Sequence, residues 1–153
     1  MKLQKTTNLK NVDLLAKIIF LNFLYLQNEP NITFTMESIV EILKSPSVIA
    51  WFLLDDQDNI CGYLIGKNQR LADGRYVYYI SYFYITETYR NKGYGRRMLL
   101  TCFKEIKDIN IKFIMLICKK NSSAEKLYKS LGFSLEPIMK LDNDNYEILY
   151  IYV

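Results

Sequence analysis

The sequence predicts a mixed α/β (α+β) fold, one sheet with helices on its faces, and three observations lead to it. SVIAWFLLD (47–55) and ICGYLIGK (60–67) are apolar, β-prone runs separated by the turn residues DQDN, the pattern of an antiparallel hairpin. YVYYISYFYI (76–85) is apolar or aromatic at nearly every position, as suits a central strand covered on both faces. Beyond it, apolar runs alternate with segments whose apolar residues recur at helical spacing.

Each element can be justified in turn. A short strand at 3–6 precedes a helix over about 10–27, and Thr35 can cap a second helix reaching Lys44. The hairpin and the 76–85 strand come next. YRNKGYGRR (89–97) then opens a helix to about Asp108, with Leu99, Cys102, Phe103 and Ile106 as its apolar stripe. KFIMLIC (112–118) is the next strand. SSAE offers a capping box from Ser122 to Glu125 for a helix whose Ala124, Leu127, Tyr128 and Leu131 form one stripe, and Gly132 stops it in the left-handed conformation. Two last strands lie around 133–139 and 146–153. No repeat, low-complexity tract or linker interrupts this order, so residues 1–153 are expected to form a single domain.

Composition narrows the chemistry. The chain has no histidine, which removes Ser-His-Asp and Cys-His catalysis and histidine metal sites. Cys61, Cys102 and Cys118 form no CxxC pair and lie among apolar residues, so reduced buried thiols are expected, and no metal. LLAKIIFLNFLYL (14–26) is too short, and with Lys17 and Asn22 too polar, to span a bilayer, and the opening residues lack a signal peptide's apolar stretch. A cytoplasmic protein without membrane association is expected. Net charge is +4, but residues 90–129 hold eleven Lys and Arg against three acids, while the remainder is acidic. A basic segment beside acidic surroundings suits a polyanionic ligand on one side and a cationic one on the other.

The glycine loop gives the polyanion a place. A loop that leaves the carboxyl end of a central strand and opens a helix presents unpaired amides at the positive end of the helix dipole. Gly93 and Gly95 lack a Cβ, so a phosphate can approach the main chain, and Arg90, Lys92, Arg96 and Arg97 add charge. The Rossmann fingerprint fails because Met98 stands at its third glycine, and the P-loop fails because no GK[ST] comes after it.

Arg90, Asn91, Lys92, Gly93, Tyr94 and Gly95 match the motif (R/Q)xxGx(G/A), with the aliphatic Ile85 five residues earlier. Asn121, Ala124, Leu127, Tyr128, Leu131, Gly132 and Phe133 match a second block, an asparagine, an alanine and then LY..LGF. On these two blocks the chain resembles the GNAT N-acetyltransferase superfamily. Glu87 departs from the pattern, standing where members commonly carry proline.

The resemblance implies a mostly antiparallel sheet of about six to seven strands flanked by about four helices, with strands 4 and 5 splayed. It implies that Arg90 through Arg96 wrap the pyrophosphate of acetyl-CoA with backbone amides, and that peptide groups near Tyr84 and Ile85 serve the pantetheine and the thioester carbonyl as an oxyanion donor. Asn121 then corresponds to a pantetheine contact; read from its position alone it is equally a helix cap. Tyr128 corresponds to the acid that protonates the departing thiolate; on spacing alone it is a core tyrosine. Cys118, with no activating base, is a structural thiol. The 76–85 strand carries no carboxylate where some relatives place a general base, which leaves water relayed to Tyr79, Ser81 or a nearby acid, or an amine already deprotonated in solution.

The reaction so implied is acetyl transfer from acetyl-CoA to a primary amine, a polyamine, another small amine or a peptide or protein amine, by direct attack in a ternary complex. A monomer or homodimer is expected. Glu29, Glu37, Glu41, Asp142, Asp144 and Glu147 lie in the segments that usually wall the acceptor site and suggest a cationic amine. The alternative is a non-catalytic CoA-binding sensor or interaction module of the same fold. Nucleic-acid binding lacks any groove-reading motif and is not expected.

Overall fold

Main-chain hydrogen bonds in the computed structural model, which describes residues 1–153, join seven strands into one sheet of order β1-β2-β3-β4-β5-β7-β6. The strands are β1 (Lys2–Thr6), β2 (Val48–Leu54), β3 (Ile60–Arg70), β4 (Tyr76–Ile85), β5 (Phe113–Lys119), β6 (Ser134–Leu135) and β7 (Tyr146–Tyr152). All neighbours run antiparallel except β4 and β5, which are parallel. The helices are α1 (Val12–Asn22), α2 (Met36–Leu43), α3 (Tyr94–Asp108) and α4 (Ser123–Ser130). A parallel β4–β5 pair requires a crossover, and α3 supplies it. The sheet class, strand count and helix count agree with the sequence reading.

Two apolar layers hold the sheet. On one face Met98, Leu99, Cys102 and Ile106 of α3 pack with Trp51, Tyr78 and Tyr128. On the other, Leu15 and Ile19 of α1 and Ile39 and Leu43 of α2 pack with Tyr63, Ile65 and Tyr82. All three cysteines are free and buried. No helix is long and apolar enough to cross a membrane.

Several local expectations need correction. The first helix does not run over 10–27: Asn11 caps it in the left-handed conformation (φ 52°), and it stops at Asn22, with a 3-10 turn at Leu24–Leu26 after it. Tertiary contacts impose the break. Asn22 Nδ2 donates to the Tyr63 hydroxyl at 2.8 Å, and the Phe23 ring sits 6.0 Å from those of Tyr82 and Tyr84. The strand expected at 133–139 shrinks to two residues, because Pro137 brings no amide and Glu136 turns inward to Arg75. Thr35 caps α2 as expected, with Ser38 completing the box. Ser122 caps α4, but the Glu125 carboxylate reaches the Asn121 amide instead of the capping residue's own.

The splay expected of strands 4 and 5 is found in the middle of the sheet. β4 and β5 pair from Val77–Phe113 only to Ile80–Leu116. Past that point β4 continues against β3 to Ile85, and β5 continues against β7 to Lys119, so the two strands stay in the sheet while separating from each other. The β3–β4 register shifts at the same place, Ile65 pairing with Tyr82 and Gly66 with Ile80, which leaves Ser81 as an extra residue. A bulge bends its strand and increases its twist, and here it bends β4 away from β5.

Candidate active site

The wedge between the separated strands opens into a cavity of about 440 Å³. Tyr79 through Phe83 of β4 and Leu116 through Lys119 of β5 form its sides. Ser122, Ala124 and Tyr128 close it from α4, and Phe23, Leu26, Phe34, Ile42 and Tyr146 close it from the opposite face.

Strand alternation decides which peptide groups look into the wedge. Thr86 N donates to Cys61 O, which marks that pair as hydrogen-bonded across β3–β4. Counting back, Tyr84 and Tyr82 turn their main chain toward β3, while Phe83 and Ile85 turn theirs toward the side that β5 has left. The Ile85 carbonyl is already taken by Arg90 Nε at 2.7 Å. Phe83 lies outside both sequence motifs, since only register reveals its place. Tyr84 contributes its ring, stacked on Tyr63 at 5.7 Å and covered by the Arg90 guanidinium at 5.1 Å.

The glycine loop comes directly after β4. The amides of Asn91, Lys92, Gly93, Tyr94, Gly95 and Arg96 donate to nothing in the chain, and they run into the N-terminus of α3. Asn91 (φ 60°) and Gly93 (φ 85°) adopt left-handed backbone, the alternation that turns consecutive amides to one concave side. The two glycines differ in purpose. A Cβ on Gly93 would meet open space, whereas one on Gly95 would come tightly against Ile85 at 3.3 Å and into contact with Phe83 and Leu127 at 3.4 and 3.5 Å. Gly93 thus serves the backbone turn, and Gly95 lets α3 approach β4 and α4 closely. Lys92 reaches the Tyr89 ring at 5.8 Å, and the Tyr94 ring lies 6.4 Å from that of Tyr89. Arg96 is exposed, and neither it nor Lys92 forms an ion pair within the chain.

On the other side of the wedge, Asn121 sits at the end of β5 in left-handed backbone (φ 59°), exposed, its side chain unbonded within the chain. Tyr128 is 7% exposed, its ring 6.3 Å from Phe83 and 5.5 Å from Phe133. Its hydroxyl has no hydrogen-bond partner within the chain, and burial pushes its pKa well up, so it remains a proton-bearing phenol. Burial also moves Cys118 to about 11 and Tyr146 to about 12. The acids expected to wall the acceptor side do not line the cavity. Glu147 turns to the α4 face beside Lys129 at 3.7 Å, Glu29 accepts from Asn143, and Glu37, Glu41, Asp142 and Asp144 are exposed.

Unpartnered amides at a helix N-terminus attract an anion, the free strand edges accept an extended polar chain, and the unbonded phenol of Tyr128 lines the cavity between them. This suits a long ligand with a phosphate-bearing end and a reactive end.

A family model described as the acetyltransferase (GNAT) family matches residues 19–133. No curated protein matches in sequence. Among solved structures, the Arabidopsis thaliana NAA60 complex with a bisubstrate analogue is similar at TM-score 0.70 and 13% identity, over 99% of this chain and 98% of that one. A NatC complex bound to Gag peptide and CoA aligns at TM-score 0.71 and 19% identity, over 100% and 99%. The ribosomal-protein-S18-alanine N-acetyltransferase of Escherichia coli aligns at TM-score 0.66 and 15% identity, over 99% and 94%. At these identities the likeness is one of fold.

Proposed function

Since the chain belongs to the acetyltransferase (GNAT) family, we propose that it transfers the acetyl group of acetyl-CoA to a primary amine by direct attack, as one domain spanning 1–153. The observation that carries this reading is the run of free amides from Asn91 to Arg96 at the head of α3, in line with the β4–β5 wedge. Those amides, with Lys92 and Arg96, would hold the pyrophosphate. Phe83 and Ile85 would receive the pantetheine along β4 and Asn121 along β5. The relatives captured with acetyl-CoA, CoA or a bisubstrate analogue support this use of the fold.

The cosubstrate supplies an acyl group already activated as a thioester. The chain then has to place it, exclude water and manage one proton. A main-chain N-H on the wedge side of β4 would receive the carbonyl oxygen as it gains charge. Tyr128 would protonate the thiolate, whose modest basicity lets a high-pKa phenol serve. Membership of the acetyltransferase family favours the enzyme over a module that only binds CoA.

The test is to incubate the protein with acetyl-CoA and an amine panel while following free thiol. Amine-dependent thiol release is the expected result. Tight CoA binding without release on any amine would leave only the binding module.

A further inference from the structure

The acceptor side of the cavity is walled by Phe23, Leu26, Ile32, Phe34 and Ile42 from the α1–α2 region and by Tyr146 from β7. No carboxylate lines it, so a second cationic group on the acceptor would be buried there without a partner. An apolar group would be buried favourably.

The same two walls are fastened together at their ends. Asn31 Nδ2 donates to Asp142 O at 2.7 Å, and Asn143 Nδ2 donates to Pro30 O at 2.8 Å and to Glu29 Oε2 at 3.2 Å. Residues 29–31 lead into Ile32 and Phe34, and residues 142–145 lead into Tyr146, so these bonds tie the two walls to each other beside the cavity. A chain lying across the groove would have to break them. A chain end would not.

We propose that the acceptor is the free amino end of a peptide whose first side chain is bulky and apolar, entering end-on beneath the bridge between residues 29–31 and 142–145. This rests on the acetyl-transfer reading above and names its substrate class.

The surroundings of the attacking nitrogen agree. Burial raises Tyr25, Tyr79, Tyr82, Tyr128, Tyr146 and Cys118 further above neutral pH, so none of these cavity groups is a free base ready to take a proton from an ammonium. The charged groups nearby are Lys119 on the cavity wall and, behind the walls, Arg90 by Tyr25, Glu29 by Tyr146, and Glu125, Glu147 and Lys129 by Cys118. The amine must therefore arrive unprotonated. At about pH 7.5, roughly a third of peptide α-amines are free base, against about one in a thousand lysine-type amines. In the transfer the C–N bond forms as the C–S bond breaks. The amine's surplus proton leaves to water, and the thiolate takes a proton from Tyr128, which recovers one from solvent.

The test offers the full chain, with saturating acetyl-CoA at neutral pH, peptides that differ only in starting with Leu or Asp. Further acceptors are the Leu peptide blocked at its N-terminus and carrying an internal lysine, spermidine and phenethylamine. Product position is read by mass spectrometry and kcat/KM for each acceptor by thiol release. The Leu peptide is expected to be acetylated on its α-amine with kcat/KM about 10-fold or more above the Asp peptide, the value of one apolar side chain in a fitted pocket. The blocked peptide and spermidine are expected to be inert, and Asn143→Ala to raise the blocked lysine peptide only to a trace rate at neutral pH that grows as pH rises, because its amine stays almost wholly protonated. Preference for spermidine, phenethylamine or the blocked peptide, or equal rates on the Leu and Asp peptides, would overturn the proposal while leaving acetyl transfer standing. Failure of every acceptor in the presence of bound acetyl-CoA would remove both.

Discussion

Ile80 and Leu116 are the last residues at which β4 and β5 pair, and the residue after Ile80 is the one that bulges. The separation that makes room for a thioester is thus produced one strand away, where β3 fixes the course of β4. Gly66 permits it. A Cβ on Gly66 would collide with the Tyr79 carbonyl oxygen and press on the Tyr78 ring. Neither can yield easily, because the Tyr78 hydroxyl donates to Ile49 O at 2.6 Å.

Gly66→Ala is accordingly expected to lower stability by about 3 kcal/mol, the scale of overpacking in a rigid core. Urea unfolding should show the midpoint falling with an unchanged slope. A midpoint equal to that of the parent protein would show that the bulge has slack.

Tyr128→Phe removes a hydroxyl that has no partner in the chain, so it leaves no orphaned donor or acceptor behind. The expected outcome is unchanged thermal stability and CoA affinity with kcat lower by about 100-fold, the lower end of what a positioned general acid contributes. Because burial raises the Tyr128 pKa, the phenol stays protonated through neutral pH. Any fall in rate toward acid then belongs to protonation of the amine, and its midpoint should move when the acceptor's own pKa is changed.

Arg75 carries a different kind of risk. Its guanidinium donates to both Glu136 oxygens, at 2.7 and 3.0 Å, and Glu136 is 3% exposed. Replacing Arg75 by Met leaves that carboxylate buried without a counter-charge, its remaining partners the amides of Ile138 and Met139, at an expected cost of about 3–5 kcal/mol. In the parent protein the Arg75 hydrogen bonds, then the amides of Met139 and Ile138, hold the Glu136 carboxyl below its ordinary pKa against the opposing effect of burial. A depressed carboxyl stabilises the fold above its unfolded pKa of about 4.3 and loses that contribution as pH falls through the folded value. The Met variant should therefore lack this part of the acid-induced loss of stability, which thermal melts between neutral and acidic pH would reveal.

Much of this architecture is legible in the residues. The hairpin announces itself in DQDN, the central strand in its aromatic run, and the anion cradle in two glycines set among four cations. Local signals fail where distant contacts decide. Asn22 and Phe23 look like one more helical turn until Tyr63, Tyr82 and Tyr84 engage them. The carboxylates of the α1–α2 and β6–β7 segments look like a substrate wall, yet alternation turns Glu147 away from the cavity and Asn143 engages Glu29. Phe83 and Gly66 are invisible without register. One signal was available: Ser81, the only hydroxylated aliphatic residue in an otherwise apolar and aromatic strand, is where the bulge forms.

The proposed hold of the amides from Asn91 to Arg96 on the diphosphate of CoA underlies the whole reaction. It is tested most directly by titrating the nitrogen-15-labelled protein with CoA and following each amide by NMR. Saturable shifts are expected, concentrated at residues 91–96, with smaller ones at Phe83, Ile85 and Asn121. Binding that leaves the loop amides unmoved, or no binding at all, would contradict it.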